Sequence, residues 1–364
     1  MSFVQVKIHR ALAPSAALAF LLLPARGWGE EDTAPAKPMF TVAWSPSAGN
    51  NPYPYLESSG ILKKWADRYH LEIKLLRLDY TAAIDAFVAG KVEACVVSNM
   101  EALTSGIDTT VVYVNDSSNG NDMVLARNGV VLKDLSNKKA LLIQKSVSLY
   151  LLERAISMQG VESQIPSLKL INTTGDGIAA RFLKEPAIDL AVTWKPMASQ
   201  IVAGGKVKDL FNSSQIPGEL IHFLAVRSDT LNRPDGSGER FAKALTGAWY
   251  EVMIQLLEPA GLTGVMTALA TASQNTLEAL TEQLGTTKFF NEPRLALNFE
   301  NGDGTKERMR AMRLFCFNHK LLGEAQSPED VAIEYPDKSI QGKPDHVRLR
   351  LVSKYMALAV ARML

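Results

Sequence analysis

The sequence contains little cysteine or histidine for its length, with two cysteines and five histidines in 364 residues. None of them stands in a metal-binding spacing such as His-Glu-x-x-His or Cys-x-x-Cys, so we expect no metal and no cofactor. Cys95 and Cys316 both lie in apolar segments, which favours small buried side chains. A disulfide between them in an oxidising compartment is the alternative that the sequence leaves open.

There is no excess of either charge, since 39 Lys and Arg stand against 38 Asp and Glu. A surface that binds nucleic acid needs a basic excess, so we expect no nucleic-acid partner. Long apolar runs are also lacking. The clearest one, residues 11–25, is shorter than the ~20 residues that cross a bilayer.

Basic residues precede this run, and small residues follow it. The pattern is typical of a secretory signal peptide over residues 1–29, with cleavage after Gly29 or as late as Ala36. A membrane-anchoring helix is the alternative. We therefore expect an exported protein that is located in the periplasm.

Beyond residue 38, segments with strand periodicity alternate with segments of helical periodicity. Strands are predicted at 40–45, 71–78, 93–99 and 110–115, with helices at 56–69 and 81–90. This order predicts a parallel sheet with right-handed crossovers. The pattern restarts near residue 121, with further strands predicted at 139–144, 167–174 and 188–194.

The two runs predict an α/β protein with two βαβ lobes. We assign residues 38–120 to the first part of lobe 1, 121–221 to lobe 2, and 222–356 to the second part of lobe 1 with its C-terminal helices. The chain would cross between the lobes near 117–127 and 217–227. Two such crossings make a hinged clam-shell whose cleft closes on a small ligand.

Several stretches resemble a known family. They are SGILKKWADRY, AGKVEACVVSNMEAL, SNGNDMV, SVSLYLLERA, VTWKPM, SSQIPGEL, ALTGAWYE and HKLLGE. Through them the chain resembles the solute-binding proteins of bacterial ABC importers, of the nitrate/sulfonate/taurine-like class. Within that class it is most similar to the urea-carboxylase-associated (urea/guanidine-type) subgroup. The resemblance implies a type II periplasmic-binding-protein fold, no catalysis, and two partners: a small-molecule solute and an ABC permease.

The loop after the first strand departs from the subgroup, in which bulky aromatic residues flank a Gly and a Pro. Here the loop reads GNNPYPY, with Asn50 at one expected aromatic position and Tyr53 at another. Exchanging an aromatic face for an amide adds a donor and an acceptor. We therefore expect a more polar solute, or one of a different shape.

Ligands of such sheets bind beyond the carboxyl ends of the strands. The residues predicted to line the cleft are polar or aromatic and lie at these ends: Ser45, Asn50, Tyr53, Tyr80, Asn99, Asn121, Asp122, Ser146, Ser148, Trp194 and Glu219. Structural roles are open for several of them. Ser146, Ser148 and Asn99 could cap helices, and Trp194 could pack in the core.

The charges in this set indicate the kind of solute. Two carboxylates beside aromatic rings suit a planar cation, whereas amides and hydroxyls suit urea. We therefore expect a small planar nitrogen compound: urea, guanidine or a related amide. An anion would need cations, of which Lys195 is the main candidate.

The alternatives are a binding protein for a sulfonate, nitrate or taurine-type anion, and a pyrimidine-precursor-binding protein or enzyme of the thiamin-related branch. For an enzyme, Cys95 is the candidate nucleophile, and no histidine motif accompanies it. We therefore expect a receptor that is not an enzyme, and we expect it to be a monomer.

Overall fold

The computed structural model describes residues 36–259 and 261–364, and the predicted signal peptide over residues 1–29 lies outside them. The strands are β1 (Met39–Trp44), β2 (Glu72–Arg77), β3 (Ala94–Ser98), β4 (Thr109–Ser118), β5 (Asp122–Arg127), β6 (Lys139–Leu142), β7 (Lys169–Asn172), β8 (Leu190–Trp194), β9 (Val207–Asn212), β10 (Ile221–Arg227), β11 (Thr287–Phe289), β12 (Ala332–Glu334), β13 (Ile340–Gln341) and β14 (Val347–Leu351).

The helices are α1 (Pro52–Ser58), α2 (Ile61–Arg68), α3 (Tyr80–Val88), α4 (Asn99–Thr104), α5 (Val147–Ser157), α6 (Ile178–Lys184), α7 (Met197–Gly204), α8 (Ser228–Leu231), α9 (Ser237–Leu257), α10 (Leu262–Ala272), α11 (Leu277–Gly285), α12 (Pro293–Asn301), α13 (Asp303–Asn318) and α14 (Lys354–Val360). Short 3-10 turns include Ala48–Asn50 and Ser213–Gln215. None of the helices in the described ranges is long and apolar enough to cross a membrane.

The strands form two sheets. The first has the order β13-β12-β14-β4-β10-β3-β1-β2, with β11 beside β4, and the second has the order β7-β6-β8-β5-β9. The first sheet takes strands from both ends of the described chain, and the second takes those between. The chain therefore passes between the sheets twice, from β4 to β5 and from β9 to β10. The predicted α/β class with two sheets is confirmed.

The parallel order predicted for the βαβ runs is found, since β1 pairs parallel with β2 and β3, and β6 with β7 and β8. Each whole sheet is nevertheless mixed. Strand β10 lies between β3 and β4 and runs antiparallel to both, and β5 runs antiparallel to β8 and β9. The reason is the direction from which the chain arrives. It returns from the second sheet at the end where β3 finishes, so His222 at the start of β10 pairs with Ser98 at the end of β3.

The single helix predicted over 56–69 is divided into α1 and α2. Gly60 adopts a left-handed conformation, with φ of 77°, which glycine adopts without steric cost and which ends the first helix. The break lets α2 pack on α9, where Gly247 leaves room for the ring of Trp65. A Cβ atom at residue 247 would lie 2.4 Å from Cζ3 of Trp65.

One carboxyl group beside the first sheet is buried without a counter-charge. Glu300 on α12 is fully buried, and in the described chain neither of its carboxyl oxygens has a hydrogen-bond partner. Burial raises the pKa of Glu300 from 4.5 to about 8, because the charged form is poorly solvated there. The protonated form of Glu300 is thus the stable one in the folded protein at neutral pH.

This burial makes stability depend on pH. Between about pH 5 and pH 8 the unfolded chain releases the Glu300 proton while the folded protein keeps it, so the free energy of unfolding should fall as the pH rises. Glu300→Gln should remove this pH-dependent loss of stability. By pH 8 the free energy of unfolding of the variant should be higher than that of the wild type by a few kcal/mol. Denaturant unfolding of both proteins at pH 5, 7 and 8 measures the difference. A difference that does not change with pH would contradict the assignment.

Candidate functional site

A small cavity lies between the two sheets, at the ends of β1, β3 and β8, and encloses about 20 Å³. Its wall is mostly polar or aromatic and is formed by Ser45, Ser47, Asn50, Tyr80, Val96, Val97, Ser98, Asn121, Asp122, Val147, Trp194 and His222. The first sheet and its loops supply one side of the cavity. The first crossing, the start of α5 and the end of β8 supply the other. A molecule held here would touch both lobes.

Six of the residues predicted for the site line this cavity: Ser45, Asn50, Tyr80, Asn121, Asp122 and Trp194. Trp194 also connects the lobes, because its indole Nε1 donates to the carbonyl oxygen of Pro46 at 2.9 Å. Its ring centroid lies 5.1 Å from that of Tyr80. The two rings form an aromatic wall with one member from each lobe.

The other five predicted residues, Tyr53, Asn99, Ser146, Ser148 and Glu219, do not line the cavity. Tyr53 is fully buried in the core, where its hydroxyl accepts from Nδ2 of Asn115 at 2.8 Å. Asn99 serves the second crossing, since its Nδ2 donates to the carbonyl oxygen of Glu219 at 3.0 Å.

Ser146 is an N-cap. Its Oγ accepts from the amide of Ser148 at 3.2 Å and begins α5, a local role that a serine before a helix often has. The carboxylate of Glu219 is bound by Arg154 at 2.8 Å and by the hydroxyl of Tyr150 at 2.5 Å. Glu219 therefore ties α5 to the second crossing and is not free for a solute.

Sequence reasoning missed His222 and its partner Asp116. Nδ1 of His222 lies 2.8 Å from Oδ1 of Asp116, and the carboxylate is almost fully buried. Asp116 directly follows the strand predicted at 110–115, and His222 lies in the second crossing predicted near 217–227. Both positions therefore resemble those of the residues that were selected. Their pairing depends on the register of β4 and β10.

Asp122 lies in a network that joins the two crossings. Its Oδ2 accepts from the Ser118 hydroxyl at 2.5 Å, which in turn lies 2.6 Å from the Ser213 hydroxyl. Ser213 also accepts from the amide of Gly120 at 2.8 Å. In the described chain, Oδ1 of Asp122 has no hydrogen-bond partner, although the residue lines the cavity. This oxygen is an acceptor that a molecule in the cavity could reach.

Several ionisable groups lie close together around this cavity and shift one another's pKa values. Burial raises the pKa of Asp122 and of Glu101. Burial alone would lower the pKa of His222, but the Asp116 carboxylate outweighs it, and with Asp122 and Glu101 it raises the pKa to about 9. His222 is therefore a cation at neutral pH and compensates the carboxylates around it.

Further contacts hold the lobes together around the cavity. Oδ1 of Asp79 accepts from the amide of Asp176 at 2.8 Å, and Nζ of Lys195 lies 2.8 Å from Oε1 of Glu282. Lys195, the cation considered for an anionic solute, is therefore already paired and does not line the cavity. These contacts hold the two sides of the cavity against each other.

The cysteines have structural surroundings. Cys95 and Cys316 are both free and buried, and burial raises the pKa of each thiol. A thiol held protonated in this way is a poor nucleophile. In the described residues, no cluster of three or more His, Cys, Asp or Glu side chains could hold a metal ion.

No protein-family model matches the sequence, and no curated protein matches it. Solved structures do. The alkanesulfonate-binding protein SsuA from Xanthomonas axonopodis pv. citri, bound to MOPS, is 14% identical with a TM-score of 0.64, covering 79% of this chain and 96% of that chain. The periplasmic aliphatic sulphonate binding protein SsuA from Escherichia coli is 14% identical with a TM-score of 0.62, covering 79% and 94%.

The periplasmic nitrate-binding protein NrtA from Synechocystis is 11% identical with a TM-score of 0.55, covering 89% of this chain and 98% of that chain. Similarity at these identities shows the fold. The chain has the fold of the periplasmic binding proteins, so the fold predicted from the resemblance is confirmed. All three neighbours are named as binding proteins rather than enzymes.

The Asp116–His222 pair depends on a close approach by Gly49, because a Cβ atom at residue 49 would lie 2.1 Å from Oδ2 of Asp116. Gly49→Ala should displace this carboxylate and lower the pKa of His222 from about 9 toward 6.5. An NMR titration of the His222 ring measures the shift. The control is Gly264→Ala inside α10, where nothing lies within 4 Å of the new Cβ. Equal His222 pKa values in wild type and Gly49→Ala would show that the pair does not depend on Gly49.

Proposed function

We propose that this protein is a periplasmic solute receptor of an ABC importer. Its cavity binds a small planar nitrogen compound, such as urea, a guanidine or a related amide, and the closed protein delivers it to the membrane permease. The fold supports the receptor role, and the predicted signal peptide supports export. A solute that touches both lobes would stabilise the closed form by its higher affinity for that form.

The observation that carries the solute class is the free carboxyl oxygen of Asp122. Asp122 is buried and lines the cavity. The Ser118 hydroxyl donates to its carboxyl group and accepts from its backbone amide. A carboxyl oxygen that opens into a cavity is a strong acceptor for a donor that enters it. The N–H groups of an amide, urea or guanidinium supply such a donor.

The remaining walls suit a flat molecule. Tyr80 and Trp194 form the aromatic wall, and Asn50, Asn121 and Ser98 supply polar groups. A planar group can stack on an aromatic ring while its edge makes hydrogen bonds. A tetrahedral sulfonate has no flat face to place there.

The charge of the cavity also distinguishes between a planar nitrogen compound and an anion as the solute. Its lining contains one basic side chain, His222, which is already paired with Asp116. An anion entering the cavity would meet the Asp122 carboxyl group, and the charge of His222 is already shared with the carboxyl groups around it. The second candidate remains a sulfonate or nitrate receptor, because structural neighbours are named for those solutes.

A thermal-shift panel on the purified protein distinguishes the two classes of solute, planar nitrogen compounds and anions. Urea, guanidinium, acetamide, taurine, an alkanesulfonate and nitrate would be tested at millimolar concentrations, since a ligand that binds the folded state raises the melting temperature. We expect a rise with at least one planar nitrogen compound and none with the anions. A rise with the sulfonate or nitrate alone would overturn the proposed solute class.

Asp122→Asn tests the carboxyl oxygen directly. Removing a charged acceptor should weaken a cationic ligand by about 10- to 100-fold and a neutral ligand by less than about 5-fold, because hydrogen bonds to charged groups are the stronger ones. Isothermal titration calorimetry measures both. The matched control is Asp134→Asn, which changes an exposed carboxylate outside the cavity. If affinity for every ligand is unchanged in Asp122→Asn, Asp122 does not contact the solute.

A further inference from the structure

His222 turns one ring edge toward the cavity. Its Nδ1 is occupied by Asp116 at 2.8 Å, while the residue lines the cavity and 17% of its side chain is exposed. In the described chain, Nε2 has no hydrogen-bond partner. This nitrogen is therefore the polar atom that His222 offers to a bound molecule.

The protonation of His222 decides whether Nε2 donates or accepts. The charged groups that face the ring are Asp116 on β4, Asp122 on β5 and Glu101 on α4. Together they raise the pKa of His222 to about 9. At neutral pH both ring nitrogens carry hydrogens, so Nε2 is a donor. Above that pKa the hydrogen on Nδ1 remains directed at Asp116, and Nε2 becomes an acceptor.

The cavity then has complementary groups from two lobes. His222 offers a donor, and Oδ1 of Asp122 offers an acceptor. Guanidinium and amidinium ions carry only donors, so one of them would leave the Nε2 hydrogen unpaired and place a second cation beside His222. A carboxamide or a urea carries a carbonyl acceptor and an NH₂ donor on one planar group.

We propose that the solute is a neutral carboxamide or urea-type compound, with its carbonyl oxygen bound by Nε2 of His222 and its NH₂ group bound by Asp122. This inference rests on the proposed function and selects within it. It excludes guanidine as the preferred solute. It also gives His222, which sequence reasoning missed, the role of determining specificity.

Two isosteric pairs test the choice: acetamide against acetamidinium, and urea against guanidinium. Within each pair the size and planarity are matched, and the acceptor oxygen is exchanged for a donor. Calorimetry on the unmodified protein at pH 7 should show the carbonyl member binding at least about tenfold more tightly, since an unpaired buried donor is costly. At pH 10, above the His222 pKa of about 9, this preference should fall or reverse.

Proton release gives a second readout that needs no variant. A carbonyl ligand should bind at pH 7 without releasing a proton from His222, whereas an amidinium should displace one. Calorimetry in buffers of different ionisation enthalpy measures the number of protons released on binding. Tighter binding of guanidinium or acetamidinium at pH 7 would overturn the inference and leave the proposed solute class intact. Binding of sulfonate or nitrate, with neither pair bound, would overturn both.

Discussion

The structure around the cavity depends on the compensation of buried charge in a place that is largely shielded from water. Asp116, Asp122 and Glu101 bring three carboxyl groups close to one histidine, and all three are almost fully buried. Buried charges are tolerated only when they are paired or neutralised. His222 meets the Asp116 carboxylate directly, and the hydroxyls of Ser118 and Ser98 donate to Asp122 and Glu101. The position of β10 between β3 and β4 makes this compensation possible.

The same residues connect charge to the hinge. Asp122 begins β5 directly after the first crossing, and its carboxyl group is held by Ser118 at the end of β4. Ser118 contacts Ser213 at the second crossing. A ligand that bonds to Asp122 is therefore bound where both connections between the sheets meet. Trp194 adds a direct contact across the opening through Pro46. In the proposed receptor, binding and closure would therefore use one set of atoms.

Much of the fold could be predicted because local patterns determine it. Apolar runs bounded by turns indicated β1, β3, β6 and β8, and the restart of the pattern indicated a second sheet. The predictions failed where the answer depended on distant segments. The division of the predicted 56–69 helix depends on how α2 packs against α9. The antiparallel β10 depends on the direction from which the chain returns. Neither is encoded in a short window.

The site divides in the same way. The sequence by itself determined that polar and aromatic residues follow buried strands, and six of the predicted residues reach the cavity, because strand ends of one sheet converge. Only the tertiary structure decided which of the eleven turn inward. Tyr53 lies in the core, and Glu219 forms an ion pair with Arg154. His222 and Asp116 are 106 residues apart in the sequence and lie opposite each other because of the register between β4 and β10. The register between such distant segments is set by the packing of the whole sheet.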